Sequence, residues 1–307
     1  MELKIKEENK KVFNRIGLAM LVSIILVNII QIIFFNIIAI VNQDLLSTSW
    51  INYIALAISY YLIGFPVFYF MIKGLPEGEK REGKKLGVWE IIKLCLISYS
   101  LMCIFNFLTN FFIILLSTIK GSEVINPLEE LLEGSNFILT IIFVGILSPI
   151  IEEIMFRGIM LNKLRRYGDK IAIVTTALLF GLFHTNFSQF FYATVLGIIF
   201  AYVVLKTGTI KYSIILHIFV NMMGSFIIPL IIGDGSNLVA YGCVLFLIVL
   251  ISLVGLVLLV RDRKNISLLD GEVKLEKGTS FKTIWINVGM VLFTVICLVS
   301  MIAVLFI

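Results

Sequence analysis

What most constrains this chain is a series of apolar segments, most of them about as long as a bilayer is thick. A helix rises about 1.5 Å per residue, so crossing a ~30 Å hydrocarbon core takes about 20 residues. Such segments lie near 16–41, 52–72, 90–118, 137–161, 171–184, 187–205, 212–232, 238–260 and 284–307. In lipid the backbone must satisfy its own hydrogen bonds, so these segments become helices rather than open sheet. The expected fold is all-α, a polytopic bundle of eight or nine transmembrane helices in one domain with a buried polar site. The fifth segment is short. It is read as tilted, or as turning back inside the bilayer to form a broken pair with the sixth. Composition agrees: 60% of the 307 residues are hydrophobic and the mean hydropathy is +1.05. Soluble domains hold roughly 45–50% apolar residues even with glycine counted.

Charge is divided between two sets of connections. One set is basic: Lys4, Lys6, Lys10, Lys11 and Arg15; Lys73, Lys80, Arg81, Lys84 and Lys85; Lys163, Arg165, Arg166 and Lys170; Lys206 and Lys211; then Arg261, Arg263, Lys264, Lys274, Lys277 and Lys282. The alternate set, near 42–51, 119–136, 185–186 and 233–237, holds only Lys120 and carries Asp44, Glu123, Glu129, Glu130, Glu133 and Asp234. The positive-inside rule then puts the N-terminus in the cytoplasm. Trp50, Trp89 and Trp285 all sit at segment ends, as interfacial rings do. The first segment is too long for a signal-peptide core and is expected to be retained. The stretch 73–89, rich in Gly, Lys and Glu, reads as a solvated connector. The formal charge of +5 is spread over short loops and does not indicate a nucleic-acid partner. Cys95, Cys103, Cys243 and Cys297 lie in apolar runs with no C-x-x-C pair, so neither a disulfide framework nor a thiolate metal site is implied.

Against this background stands Pro149-Ile150-Ile151-Glu152-Glu153-Ile154-Met155-Phe156-Arg157-Gly158, inside an apolar segment. A charged group at a helix centre costs about 3 kcal/mol on insertion scales, so such residues are paired, functional or both. Helix positions four apart share a face, and Glu153 and Arg157 have that spacing with the acid first. Glu152 lies about 100° around the helix. It is the less well matched partner of Arg157 and so the freer carboxylate, suited to general acid or base work. Pro149 removes a backbone donor and is expected to kink the helix, leaving the carbonyl of Gly145 without its usual partner. A buried ionic lock between helices is the plain structural reading of the three charges.

The chain has only two histidines, His184 and His217, and both fall in apolar segments. Asn221 is one turn past His217 and shares its face. At 1.5 Å per residue, Glu152 lies roughly 15 Å from the cytoplasmic end of its span, His184 roughly 20 Å, and His217 and Asn221 roughly 10–15 Å. Four polar groups from three helices can therefore meet at similar depth. A straight fifth helix puts His184 somewhat too far out, and tilt or a re-entrant path corrects this.

At these residues the chain resembles the intramembrane CPBP proteases, the CAAX proteases and bacteriocin-processing enzymes also called the Abi family. Its motifs E-E-x-x-x-R, F-x-x-x-H and H-x-x-x-N/B are matched in order by Glu152-Glu153-x-x-x-Arg157, Phe180-x-x-x-His184 and His217-x-x-x-Asn221. The resemblance covers roughly 137–232 and implies a catalytic core there. It would be flanked by N-terminal helices and loops over 1–136 and C-terminal helices over 233–307. It also implies peptide-bond hydrolysis within the membrane. Glu152 would activate water and His184 would bind and orient it. His217 and Asn221 would stabilise the oxyanion, while Glu153 and Arg157 hold the site together.

One carboxylate and two imidazoles, Glu152, His184 and His217, can also ligate zinc and leave a position open for water. Two observations count against a metal. There is no H-E-x-x-H pair or third histidine, and a ligating Glu152 could not be the base. A metal-free site is favoured, with zinc as the alternative. The expected partners are a peptide or membrane-protein substrate and the bilayer. A non-catalytic membrane immunity or scaffold protein of the same fold is the competing function, although a binding-only role does not need both histidines. A proton relay or transporter fits less well, because no inverted repeat is visible.

Overall fold

The computed structural model describes residues 2–79, 82–124, 126, 136–232, 236–276 and 278–306. Lys80, Arg81, Glu129, Glu130, Glu133, Asp234 and Lys277 of the charge map lie outside the described residues. The described residues form ten helices and no strand. In chain order these are α1 (Glu2–Val41), α2 (Ser49–Ile72), α3 (Val88–Lys120), α4 (Phe137–Tyr167), α5 (Asp169–Phe183), α6 (Phe187–Thr207), α7 (Lys211–Ile232), α8 (Leu238–Asp262), α9 (Ser280–Trp285) and α10 (Val288–Val304).

Seven of these helices are long and apolar enough to cross a membrane, fewer than the eight or nine expected. The difference lies in α5 and α10, with 15 and 17 residues, or about 22 and 25 Å of helix. Asparagines inside apolar sequence cut both segments. Asn287 leaves the helix after Trp285, and its Oδ1 accepts from Met290 N at 3.0 Å to start α10. Asn186 does the same for α6, accepting from Gln189 N at 2.9 Å, just after Thr185 takes a left-handed turn (φ 53°). Each cap satisfies an orphan donor of a helix start.

Three prolines follow the same rule. Pro66, Pro149 and Pro229 each come two residues after a π-helical stretch, at Ala57–Gly64, Ile141–Leu147 and Met223–Ile227. Proline has no N–H and its ring clashes with the carbonyl four residues back. A wider turn before it moves that carbonyl aside. The expected kink at Pro149 is therefore a shift of register. Ser148 N donates to Phe143 O, five residues back, and the next carbonyl in that register, Val144, is the one that Pro149 cannot serve. In this register the carbonyl left without its donor is that of Val144.

Packing divides α1 and α3 between different neighbours. α1 lies along α2 and α10, with Gly17 so close to Gly289 that a Cβ on Gly17 would sit 2.3 Å from Met290 N. α3 packs on α6, α7 and α8. α5 and α6 form a tight hairpin. Close backbone approach at small residues is how membrane helices associate where lipid is as apolar as leucine.

The basic ends of the helices are bound together by two connectors. Most of 73–87 is exposed, yet it is anchored rather than free: Gly78 N donates to Asn162 O at 2.9 Å and Lys84 N to Lys206 O at 3.3 Å. Lys163 Nζ reaches Leu75 O and Glu77 Oε1 at 2.9 and 2.7 Å. The second connector, 266–279, exchanges bonds with Asp169 through Leu269 and with Arg166 through Val273. Glu79 N donates to Glu272 Oε1 at 2.8 Å, joining the two connectors.

Candidate active site

The two adjacent glutamates leave α4 in different directions. Glu153 and Arg157 are fully buried (0% exposed) and paired, Arg157 Nη1 donating to Glu153 Oε1 at 2.9 Å. The guanidinium is boxed by aromatic rings, 4.3 Å from the Phe180 centroid and 5.4 Å from that of Phe200. Cation–π attraction of this kind is strongest where water is excluded. Gly197 of α6 leaves room for it: a Cβ there would lie 3.3 Å from Arg157 Nη2 and 3.0 Å from Ala177 Cα. Glu152 points the other way. Its side chain is 16% exposed and lines a cavity of about 580 Å³.

His217 of α7 stands between the glutamates. Its Nδ1 lies 3.0 Å from Glu153 Oε1, the oxygen already bound to Arg157, and its Nε2 lies 3.7 Å from Glu152 Oε2. A carboxylate held by arginine accepts only, so Nδ1 carries the proton and donates. That leaves Nε2 turned toward Glu152, at a separation where one water can touch both. His184 caps α5 and is oriented differently. Its Nδ1 donates to the Phe180 carbonyl at 2.8 Å, so in the neutral ring Nε2 carries the lone pair. Asn221 Nδ2 donates to Val144 O at 3.0 Å, filling the carbonyl that Pro149 orphans. One of its two amide hydrogens remains for another acceptor.

Glu152, His184, His217 and Asn221 thus come from three helical segments to the wall of one cavity, with Glu153 and Arg157 packed behind it. Sequence reasoning missed several neighbours. Phe180 appears there only as the first letter of a motif. In the fold its carbonyl sets the tautomer of His184, and its ring meets both imidazoles edge-on at 4.9 and 5.7 Å. Ser148 shares a 2.8 Å hydrogen bond with Tyr61 of α2, fixing the α4 wall to α2. An isolated serine beside a proline carried no signal for this.

The cavity extends from the helix middles toward the ends remote from the basic connectors. Its lining takes in residues 24–31 of α1, 102–110 of α3, 144–152 of α4, 188–196 of α6 and 217–229 of α7, and none from 73–87 or 266–279.

Residues 134–223, which contain all six of these polar residues, match the family model for type II CAAX prenyl endopeptidases, Rce1-like. Over these residues the chain is similar to that family. It is also similar to the membrane-embedded CAAX protease MroQ of Staphylococcus aureus (strain USA300), 27% identical over 154 residues. That alignment covers 47% of this chain and 60% of the length of the relative. No solved structure matches the chain. The seven spans and the similarity to a membrane-embedded relative make this chain an integral, multi-pass membrane protein.

Glu152 Oε2 and His217 Nε2 lie 3.7 Å apart, close to the spacing of two ligands held about 2.0–2.2 Å from one zinc ion. Among the described residues no three His, Cys, Asp or Glu side chains converge to hold one.

Proposed function

We propose that this protein is an intramembrane endopeptidase in which Glu152 activates water. The observation that carries the reading is that Glu152, His184, His217 and Asn221 line one cavity while Glu153 and Arg157 are paired behind it. Water bound between Glu152 and the free Nε2 of His184 gives its proton to the Glu152 carboxylate as its oxygen attacks the scissile carbonyl. The oxyanion is met by the spare amide hydrogen of Asn221 and by His217 when its Nε2 is protonated. Such donors supply about 2.7–4 kcal/mol each at a transition state. Glu152 then passes the proton to the leaving amine as the C–N bond breaks. Glu153 acts through His217, holding its Nδ1 proton in place.

The family description suggests a C-terminal CAAX-type peptide as the substrate, and the bilayer supplies the setting. With the basic connectors on the cytoplasmic side, the N-terminus is cytoplasmic and substrate reaches Glu152 from the opposite end or laterally. The test is a fluorogenic peptide library on the purified protein, with bound metal measured and a chelator arm included. Glu152→Gln and His184→Ala abolish cleavage while the protein still accumulates in membranes. Full activity in both variants would overturn the mechanism, and a cellular phenotype that survives Glu152→Gln would favour a scaffold role.

A further inference from the structure

The cavity has two walls that the chemistry above does not use. On α1, Asn28 and Gln31 are three residues apart, and on α3, Asn106 and Asn110 are four apart, so each pair shares a helix face. All four line the same cavity as Glu152. Because α1 rests on α2 and α10 while α3 rests on α6, α7 and α8, the walls belong to separate sets of helices.

Uncharged amides within apolar helices are costly unless they are partnered. Here the partnering is half complete. Asn28 Nδ2 donates to Ile24 O at 2.9 Å, Gln31 Nε2 to Ser59 Oγ at 3.1 Å, and Asn110 Nδ2 to Asn106 Oδ1 at 2.7 Å. Among the described residues, the side-chain oxygens of Asn28, Gln31 and Asn110 and the amide nitrogen of Asn106 have no partner. These two walls therefore offer three unpartnered amide oxygens and one unpartnered amide nitrogen, all of peptide-like character. Among the described residues of the cavity lining, Glu152 is the only Asp, Glu, Lys or Arg, so an ionic side chain that enters between these walls meets no counter-charge on them. A helical guest keeps its backbone groups to itself, whereas an extended one presents them to such walls.

We propose that Asn28, Gln31, Asn106 and Asn110 bind the backbone of an extended, uncharged peptide segment between α1 and α3 and lead its scissile bond to Glu152. This rests on the endopeptidase reading, and binding is therefore measured apart from cleavage. The probe is a fluorescent hexapeptide of Ala, Leu, Ser and Gly, titrated into the full chain in lipid nanodiscs with Glu152→Gln in the background. Gln31→Leu and Asn106→Leu each weaken binding about three- to tenfold, the loss of one net hydrogen bond. With Glu152 intact, the loss falls on KM rather than on kcat.

N-methylation of the peptide backbone removes the donors that the wall oxygens take. It weakens binding to the parent protein and adds little in Gln31→Leu. Replacing two central residues with Lys or Asp weakens binding more than tenfold. Variants that keep the parent's thermal unfolding yet bind the peptide as tightly overturn the proposal, as does equal binding of the N-methylated and plain peptides. The peptide chemistry tests the walls even where a variant fails to fold. Amide-dependent binding with no cleavage by the protein with Glu152 intact would instead sink the endopeptidase reading and leave the subsite standing.

Discussion

Replacing Arg157 with methionine tests whether the pair behind the site is a single electrostatic unit. Glu153 and Arg157 are both fully buried, so Arg157→Met leaves a carboxylate in a dry interior with the Nδ1 proton of His217 and the Ser213 hydroxyl near it but no cation. Stranding one member of a buried pair costs about 3–5 kcal/mol. Glu153→Leu strands the guanidinium instead, at a similar cost of about 3–5 kcal/mol, and also leaves the His217 Nδ1 proton without an acceptor. If the two sites were independent, the double variant would lose about 6–10 kcal/mol, the sum of the two.

The geometry predicts otherwise. With both charges gone, nothing ionic remains to be desolvated at that position, and the methionine fills the box of Phe180, Phe200 and Gly197 that held the guanidinium. The double variant should then be no less stable than either single one, a coupling of about 3–5 kcal/mol. The assay is equilibrium unfolding in mixed micelles for the four proteins of the cycle, with cleavage measured in parallel. Stability returns in the double variant, but cleavage does not, because His217 has lost the acceptor that holds its tautomer. Additive losses would show that the pair is not a unit, and cleavage that returned with stability would show that Glu153 only balances charge.

Asn221→Leu leaves Val144 O without its donor and removes an oxyanion contact. It should cost about 1–3 kcal/mol of stability and about 10²–10³ in cleavage rate, read by unfolding and initial rates, and near-normal turnover would refute the assignment. Access is read by thiol labelling in a background with the four native cysteines replaced. Gln189→Cys, on the cavity wall, reacts with a membrane-impermeant reagent from the side opposite the basic connectors and labelling blocks cleavage, while Glu79→Cys reacts from the basic side. Labelling of the Gln189→Cys protein only from the basic side would reverse the proposed entry.

Much of this bundle could be read from its sequence because lipid leaves the backbone few choices. The spans and the four-residue spacing of Glu153 and Arg157 follow from helix period and apolar length alone. What could not be read depended on a register or on a neighbour. Pro149 advertises a missing donor, but which carbonyl goes without depends on the π turn before it, and only the fold shows Val144 answered by Asn221. Asn186 and Asn287 look like stray polar residues in apolar runs until each is seen ending one helix and starting the next. His217 was legible as a polar group at the right depth, yet its contact with both glutamates depends on how α7 crosses α4, which no local pattern encodes.

Adjacent glutamates in lipid make sense once their directions are separated. Consecutive helix residues diverge by about 100°, so one carboxylate faces the dry side of α4 and the other the cavity. Arg157 is paired with Glu153 and cannot release a proton. Glu152 and His217 face one another across 3.7 Å at the cavity wall, so a proton exchanged with water there passes between groups that border the cavity. This is the location that water activation at Glu152 and proton delivery to a leaving amine both require. A single glutamate paired with Arg157 would make the cluster neutral with no proton to move, so the second glutamate turns an ionic lock into a site able to exchange one.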